Sequence, residues 1–202
     1  MVDGKLGMSG KLGIKVIRAQ GPGLRWKLSN TLRWSFIWGW FANLFAKSFS
    51  ALTGVPTLTA ELRAVLIRAD GTRINYGVLS RRVVTTAFVN FLAGQFQTDS
   101  TLIGDFKYHD SGVGVTAEAV GNTDIETTDG ESRVTGSQST TNAVYTSVGT
   151  ISYTTTKAIT EHGLFNASTG VTLMDRSVFS AVNVVNGDSI QFTYALTVNS
   201  GG

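Results

Sequence analysis

Residues 189–198 read SIQFTYALTV, and in this stretch polar and apolar side chains alternate almost without interruption. This period of two is typical of a strand with one buried face. The residues that share the predicted buried face are Ile190, Phe192, Tyr194, Leu196 and Val198. Further strands are predicted at 132–138, 143–154, 158–166, 171–175 and 177–185. The dipeptides Thr169-Gly170 and Asn186-Gly187 supply turns between them.

The same period begins much earlier in the chain. Ala60, Leu62, Ala64 and Leu66 alternate with polar neighbours, and Asp70-Gly71 predicts a hairpin turn. Phe106–His109 is predicted to be short and extended, and 111–131, rich in glycine and acids, to be a loop. The many short strands predict a mainly β fold, an antiparallel β-sandwich that is jelly-roll-like.

One or two short helices are predicted beside the strands. The first covers roughly Thr85 to Gln97, with Thr85 as its N-cap. The second covers residues 31–52, where apolar residues recur every three or four positions, and it ends before Gly54 and Pro56. Its predicted apolar face consists of Trp34, Ile37, Trp38, Phe41, Leu44, Phe45, Phe49 and Leu52, widened by Phe36 and Trp40.

Charge and tryptophan divide the chain into an N-terminal arm, residues 1–56, and a β-sandwich body, residues 57–202. The first 50 residues contain all four tryptophans, eight basic residues and one acidic residue, whereas the rest has nine basic and 13 acidic residues. A basic, aromatic segment is therefore joined to an acidic body. Such a segment is typical of a docking element.

Four interpretations of the arm remain open. Its helix packs on its own body, anchors onto neighbouring subunits, lies in a lipid interface, or binds nucleic acid through pairs such as Arg25-Trp26. We favour the anchor, and expect neither nucleic acid nor a membrane as partner. The candidate subunit-interface residues are Arg25, Trp26, Arg33, Trp34, Ile37, Trp38, Trp40, Phe41 and Phe45.

The composition of the chain bears on its assembly, on cysteine chemistry and on membrane insertion. Charged residues make up only 15% of the 202 residues, below the roughly 25% typical of soluble domains, which favours assembly with neighbours. The chain has no cysteine, which excludes disulfides and thiolate chemistry. The longest uncharged stretch near the tryptophans, residues 34–46, is too short for a membrane span of about 20 residues. No signal peptide is apparent.

The two histidines are weak catalytic candidates. His162 follows Glu161 on a predicted strand, so the two side chains should point to opposite faces, and we expect a structural histidine that caps a turn or packs on Phe165. His109-Asp110 resembles a metal phosphohydrolase dyad but lacks the further histidines which that chemistry needs. We therefore predict no catalytic residue and no enzyme activity.

The glycine-rich loop offers two further patterns. Residues 112–117 imitate a dinucleotide-binding fingerprint, but no helix is predicted to follow them. Four acids offer calcium ligands, although a solvated acidic turn is the simpler interpretation. They are Asp124, Glu126, Asp129 and Glu131. We predict no cofactor and no metal site.

Five segments in order carry a resemblance to a known group of proteins. They are Arg82–Ala87, Phe106–His109, Thr116–Thr123, Ile159–Phe165 and Asp188–Tyr194. Over about residues 57–202 the chain resembles virion structural proteins of tailed bacteriophages, either capsid decoration (cement) or tail-associated proteins. The resemblance implies a virion component, and does not extend to the arm.

The function expected from these observations is a homo-oligomeric decoration protein located in the virion. Its arm would staple neighbouring major capsid or tail subunits without covalent chemistry. The alternative is a tail or fibre component that binds a host receptor or glycan through Ser/Thr-rich strands and through Tyr145 and Tyr153.

Overall fold

The computed structural model describes residues 56–81, 84–97, 106–169 and 172–199. They form two antiparallel sheets and one helix, so the prediction of a mainly β sandwich is confirmed. The helix α1 is Thr86–Gln95. The strands are β1 Thr57–Ile67, β2 Arg73–Ser80, β3 Tyr108–Gly112, β4 Val134–Thr135, β5 Ser137–Thr141, β6 Val144–Ser152, β7 Lys157–Phe165, β8 Leu173–Val184 and β9 Ser189–Asn199.

The alternating stretch 189–198 lies at the centre of the larger sheet. That sheet has the order β2-β1-β9-β6-β5, and β9 pairs along its length with β1 on one side and β6 on the other. Ile190, Phe192 and Tyr194 are completely buried, because they face the second sheet, whose order is β4-β3-β7-β8. Residues from both sheets contribute to one hydrophobic core.

Two predicted strand boundaries were wrong. The single strand predicted at 132–138 is divided at Gly136, with β4 in the smaller sheet and β5 in the larger one. The two strands predicted at 171–175 and 177–185 are one continuous strand, β8. The apparent interruption at Arg176 is a buried charged residue inside the strand, which the pattern of hydrophobicity does not distinguish from a turn.

The hairpin turns follow the predicted chemistry. Gly71, between β1 and β2, has φ of 85°, and Gly187, between β8 and β9, has φ of 88°. These left-handed conformations strain any residue with a Cβ atom, so glycine is favoured at both turns.

The helix predicted at roughly Thr85 to Gln97, with Thr85 as its N-cap, is confirmed as α1. The hydroxyl of Thr85 accepts a hydrogen bond from the amide of Phe88 at 3.2 Å and caps the first turn. The rings of Phe88 and Phe91 each meet the ring of Phe106 edge-on, with centroids 5.1 Å apart. No helix in the described part of the chain is long and apolar enough to cross a bilayer.

Candidate functional site

The nine candidate interface residues, and the predicted helix 31–52 that carries most of them, lie outside the described residues. The chemistry that the described residues do show is concentrated on strand β7. Glu161 and His162 are adjacent there, and both are completely buried. Their side chains take part in different networks, one on each face of the strand, as the strand geometry predicts.

His162 lies on the inner face of β7, between the two sheets. Its Nε2 atom is 3.0 Å from Nδ1 of His109 on β3, and Nε2 of His109 is 2.8 Å from the hydroxyl of Ser147 on β6. The ring of His162 also packs on Phe192, with centroids 4.6 Å apart. His162 therefore joins the sheets from the middle of a strand, and the prediction that it caps a turn was wrong. The aromatic ring that the structure places against it is Phe192, where the sequence predicted Phe165.

The hydrogen-bond partners determine which nitrogens carry protons. Nδ1 of His162 is buried and has no hydrogen-bond partner among the described residues. A buried N–H without an acceptor is costly, so we place the His162 proton on Nε2, where it donates to His109. His109 then donates from its own Nε2 to Ser147. Both imidazoles are neutral in this arrangement.

Burial keeps both rings in their neutral form. It lowers the pKa of His109 to about 4. Burial, together with the nearby His109, lowers the pKa of His162 well below its ordinary value. Glu161 points to the other side of β7 and both rings are shielded from solvent, so the pair lies in the interior, where it holds the two sheets together.

Two glycines make room for the His109 ring. A Cβ atom at Gly149 would lie 2.5 Å from the ring, and one at Gly136 would lie 2.7 Å from Nε2. Any side chain at either position would displace His109 from between the sheets. The sequence gives no signal that these glycines, rather than the turn glycines, are required by contact.

Glu161 forms the second network, on the other face of β7. Its carboxylate accepts hydrogen bonds from the amides of Gly114, Glu126 and Thr127, at 2.8–2.9 Å. It also accepts one from Nε of the buried Arg176 on β8, at 2.8 Å. Four donors therefore surround one buried carboxylate, and they fix the glycine-rich loop onto the sheet.

The dinucleotide-like pattern at residues 112–117 thus has another explanation. The amide of Gly114 binds the protein's own Glu161, and a Cβ atom at Gly112 or Gly114 would collide with that carboxylate. These glycines allow the loop to approach Glu161 closely. The residue that the sequence missed is Arg176, whose only signal is a charge within an apolar strand.

The four candidate calcium ligands bind separate partners. Asp129 accepts a hydrogen bond from Ser111, and Glu131 pairs with Lys157 at 2.6 Å. Glu126 pairs with Arg176 at 3.1 Å, and Asp124 with Arg133 at 3.3 Å. The solvated acidic turn is thus also an ion-paired one, with the Asp124 side chain 63% exposed. Within the described ranges, no group of three or more His, Asp or Glu side chains could hold a metal ion.

An open pocket of about 330 Å³ lies above Arg176. Asp124, Asn122 and Glu126 contribute to its wall. Hydrogen bonds from Thr116, and secondarily the charge of Arg176, lower the pKa of Glu126, so this wall is negatively charged at neutral pH. Arg176 is itself occupied by Glu161 and Glu126, so the pocket presents no unopposed positive charge.

His109 and Asp110 do not act as a dyad, because they too face opposite sides of their strand. Asp110 pairs with Nε of Arg133 at 2.8 Å, and the Arg133 guanidinium lies 3.4 Å from the centroid of the Phe165 ring. Burial raises the pKa of Asp110, and the hydrogen bond from Arg133 opposes that rise. Arg133 is a second residue that sequence reasoning missed.

The two tyrosines proposed to contact sugars are placed differently from each other. Tyr153 is only 1% exposed, and its hydroxyl lies 3.0 Å from that of Ser111. Its assignment as a surface aromatic was wrong. Tyr145 is half-buried on β6, and its hydroxyl donates to the carbonyl of Phe106. The neighbouring strand β5 is exposed along its whole length and entirely polar.

Comparisons with known proteins add no family: neither a family model, nor a curated protein, nor a solved structure matches this chain.

Proposed function

We propose that this chain is a structural component of a tailed-bacteriophage particle, a capsid decoration protein whose arm staples neighbouring subunits. In this proposal the sandwich is a rigid body that sits on the particle, and the basic, aromatic arm makes the contacts. Each contact would bury about 1,600 Å² or more, and repetition over a symmetric lattice would multiply the effect. The protein would carry out no reaction.

The observation that carries the proposal is the role of the segments that bear the resemblance. Phe106–His109, Ile159–Phe165 and Asp188–Tyr194 meet at His162, which contacts His109 at 3.0 Å and the ring of Phe192 at 4.6 Å. The loop segment Thr116–Thr123 is held beside them through Arg176, which donates to Asn122. These residues bind one another within the fold, which supports an architectural resemblance and an architectural role.

The burial of Tyr153 favours decoration over the glycan-binding alternative. That alternative needs aromatic rings at the surface to stack on sugars. Tyr153 is inside the core, and the hydroxyl of Tyr145 donates a hydrogen bond to the carbonyl of Phe106. The arm, by contrast, has four tryptophans and an excess of seven positive charges, a composition suited to a docking element. Aromatic and arginine side chains are the residues that contribute most at protein interfaces.

Deletion of residues 1–52 tests the proposal most directly. The described residues between Ala60 and Leu196 form a continuous hydrophobic core, so we expect the truncated body to fold and to melt cooperatively. We also expect it to lose binding to particles produced without this protein, to which the full chain binds in a sedimentation assay. The double variant Trp34→Ser/Trp38→Ser should weaken binding by at least about tenfold, because it would remove two of the aromatic side chains that make the proposed contact.

The control is Arg73→Gln, which alters one charge of the body while leaving the arm intact. It should bind particles as the unaltered chain does. Particle binding by the truncated body at full strength would contradict the role of the arm. Binding of the full chain to a glycan array, without binding to particles, would support the tail or fibre alternative instead.

A further inference from the structure

Strand β5, Ser137–Thr141, forms one edge of the larger sheet. In the described part of the chain its strand partner is β6, with which it pairs over five consecutive residues without a register shift. All five residues of β5 are exposed. The outer side of a regular edge strand presents backbone N–H and C=O groups that the sheet does not use, and these can pair with a strand of another molecule.

The other three sheet edges are obstructed. The pairing of β2 with β1 has two register shifts, and Gly77 on β2 has φ of 67°, so this edge is irregular. Strand β4 has only two residues. The first seven residues of β8 are buried, and the amide of Thr85 donates to the carbonyl of Met174 at 2.9 Å. Irregular, short and covered edges are the usual means of preventing strand pairing, and among the described edges β5 has none of them.

Charge is missing from the whole region around β5. Residues 134–156, which contain β4, β5 and β6, include no Asp, Glu, Lys, Arg or His. A charged side chain, above all lysine, is another means of keeping an edge strand from pairing. The sequence of β5 is Ser-Gln-Ser-Thr-Thr, which is polar but carries no charge to oppose a second strand.

We propose that β5 pairs with β5 of a second copy of this chain, antiparallel and about a two-fold axis. The two five-stranded sheets would then form one sheet of ten strands. The register that pairs all five residues is centred on Ser139. In this register Ser139 faces its own copy, and Gln138 faces Thr140 of the second copy.

The chemistry of β5 favours a second copy as the occupant. A two-fold axis brings each residue close to the same residue of the copy, so a charged strand would meet its own charge, and like charges opposite each other destabilise a strand pair. An uncharged strand has no such repulsion, and it offers no charge to select an acidic or a basic partner. Ser, Thr and Gln side chains both donate and accept hydrogen bonds, so identical strands can bind each other across the axis.

The pairing should be weak between isolated chains. Five residues of β5 extend about 17 Å, whereas a standard stable interface has about 20–30 residues on each side. We therefore expect a Kd on the order of 0.1 mM. Repetition on a particle would strengthen the contact, and that step alone rests on the proposed function.

Disulfide trapping in the full chain tests the pairing, because the chain has no cysteine of its own. In the proposed register Ser139→Cys places two thiols directly opposite each other. Under mild oxidation at about 0.1 mM protein, this variant should form disulfide-linked dimers at least about tenfold faster than Thr72→Cys. Thr72 is also exposed, but it lies in the turn that leads into β2, at the other edge of the sheet. Equal rates would overturn the proposal.

Charge substitutions at the same position measure association without a cross-link. Translational diffusion of the unaltered chain, measured by NMR, should slow as the concentration rises to about 1 mM. Ser139→Lys alone and Ser139→Glu alone should abolish this concentration dependence, because like charges would then face each other. An equimolar mixture of the two variants should restore it, because opposite charges would meet. Thr72→Lys is the matched control and should associate as the unaltered chain does.

Three results of the diffusion experiment would overturn the proposal. The unaltered chain could remain monomeric up to about 1 mM. Association could persist unchanged in Ser139→Lys, which would assign it to another surface such as the arm. The mixture of oppositely charged variants could fail to associate, which would exclude pairing about a two-fold axis at Ser139. None of these experiments uses phage particles, so a failure here is separate from a failure of the proposed function.

Discussion

Strand β7 buries two adjacent polar residues in opposite ways. Glu161 faces the glycine-rich loop and is surrounded by three backbone amides and the guanidinium of Arg176. His162 faces the core, where its polar neighbour is a second histidine and its other side meets Phe192. Both side chains are completely shielded from solvent, yet one site is built for a negative charge and the other for a neutral ring.

The difference shows what a buried polar group needs in order to be stable. A carboxylate in the interior is tolerated when enough donors replace its water, and the loop 113–127 supplies them. The histidines hydrogen-bond to each other and to the neutral Ser147, and burial disfavours a charge on either ring, so the pair is stable while both rings are neutral. The network around Glu161, on the loop side of β7, is therefore stable while its carboxylate is charged. The histidine pair, on the core side, is stable while it is uncharged.

Lowering the pH should destabilise the folded protein through the histidine pair on the core side of β7, and this is the largest effect on stability that we expect. The unfolded chain binds protons at its histidines with a pKa near 6.5, whereas in the folded protein the pKa of His109 is about 4 and that of His162 is also lowered. The unfolded state therefore binds more protons below pH 6.5. The stability is fully present above that pH and is lost as the pH falls toward 4.

The slope that His109 contributes approaches about 1.4 kcal/mol per pH unit, so His109 alone should lower the free energy of unfolding by about 2 kcal/mol between pH 6.5 and 4.5. His162, whose pKa is also lowered, should add to this loss. Urea unfolding at a series of pH values measures this. The control is His109→Leu/His162→Leu, which replaces both partners by apolar groups and should have a nearly flat profile over the same range. Parallel profiles for the two proteins would show that the histidines are not the cause.

Removing the charge of Glu161, on the loop side of β7, should destabilise the folded protein somewhat less. Glu161→Gln places an amide N–H among donors and leaves Arg176 buried without its full counter-charge, so we expect a loss of about 3 kcal/mol in the free energy of unfolding at pH 7. The amides of Gly114, Glu126 and Thr127 should also lose protection from hydrogen exchange, because they now donate to this carboxylate.

Glu61→Gln is the matched control for this change. Glu61 also binds two partners, Arg63 at 2.6 Å and Arg81 at 2.9 Å, but it lies on a partly exposed strand face. Exposed ion pairs contribute at most about 1 kcal/mol, so the control should lose far less. If both variants lost the same amount, the burial of Glu161 would have no special energetic role.

The sequence predicts the framework of this fold much better than its polar interior. The alternation at 189–198 identifies β9, because a strand with one buried face has apolar residues at every second position. The Asp70-Gly71 turn identifies the first hairpin. Thr85 identifies the start of α1 because a hydroxyl at the N-cap is a local requirement. These features depend on neighbours in the sequence.

The polar networks depend instead on residues far apart in the chain. Arg176 resembles a break between two strands because its partner, Glu161, lies on another strand. Ser147 resembles the many exposed Ser and Thr residues around it, although it is completely buried against His109. Without the register of β3, β6 and β7, no local pattern distinguishes these residues from their exposed neighbours.

Ser147→Ala should have the smallest effect of the three, and it tests the assigned proton positions. If His109 donates from Nε2 to Ser147, alanine leaves that N–H buried without an acceptor, and the free energy of unfolding should fall by about 1–2 kcal/mol. Ser152→Ala is the control, because the Ser152 hydroxyl meets that of Ser189 at an exposed position and its loss should be nearly neutral. Nitrogen NMR of the histidines in the unaltered protein should show Nε2 protonated and Nδ1 unprotonated in both rings, and the reverse tautomers would contradict this assignment.

A neutral pair can lose one hydrogen bond at modest cost, because no unpaired charge remains behind. A loss from Ser147→Ala as large as that from Glu161→Gln would therefore mean that the two faces of β7 do not differ in kind.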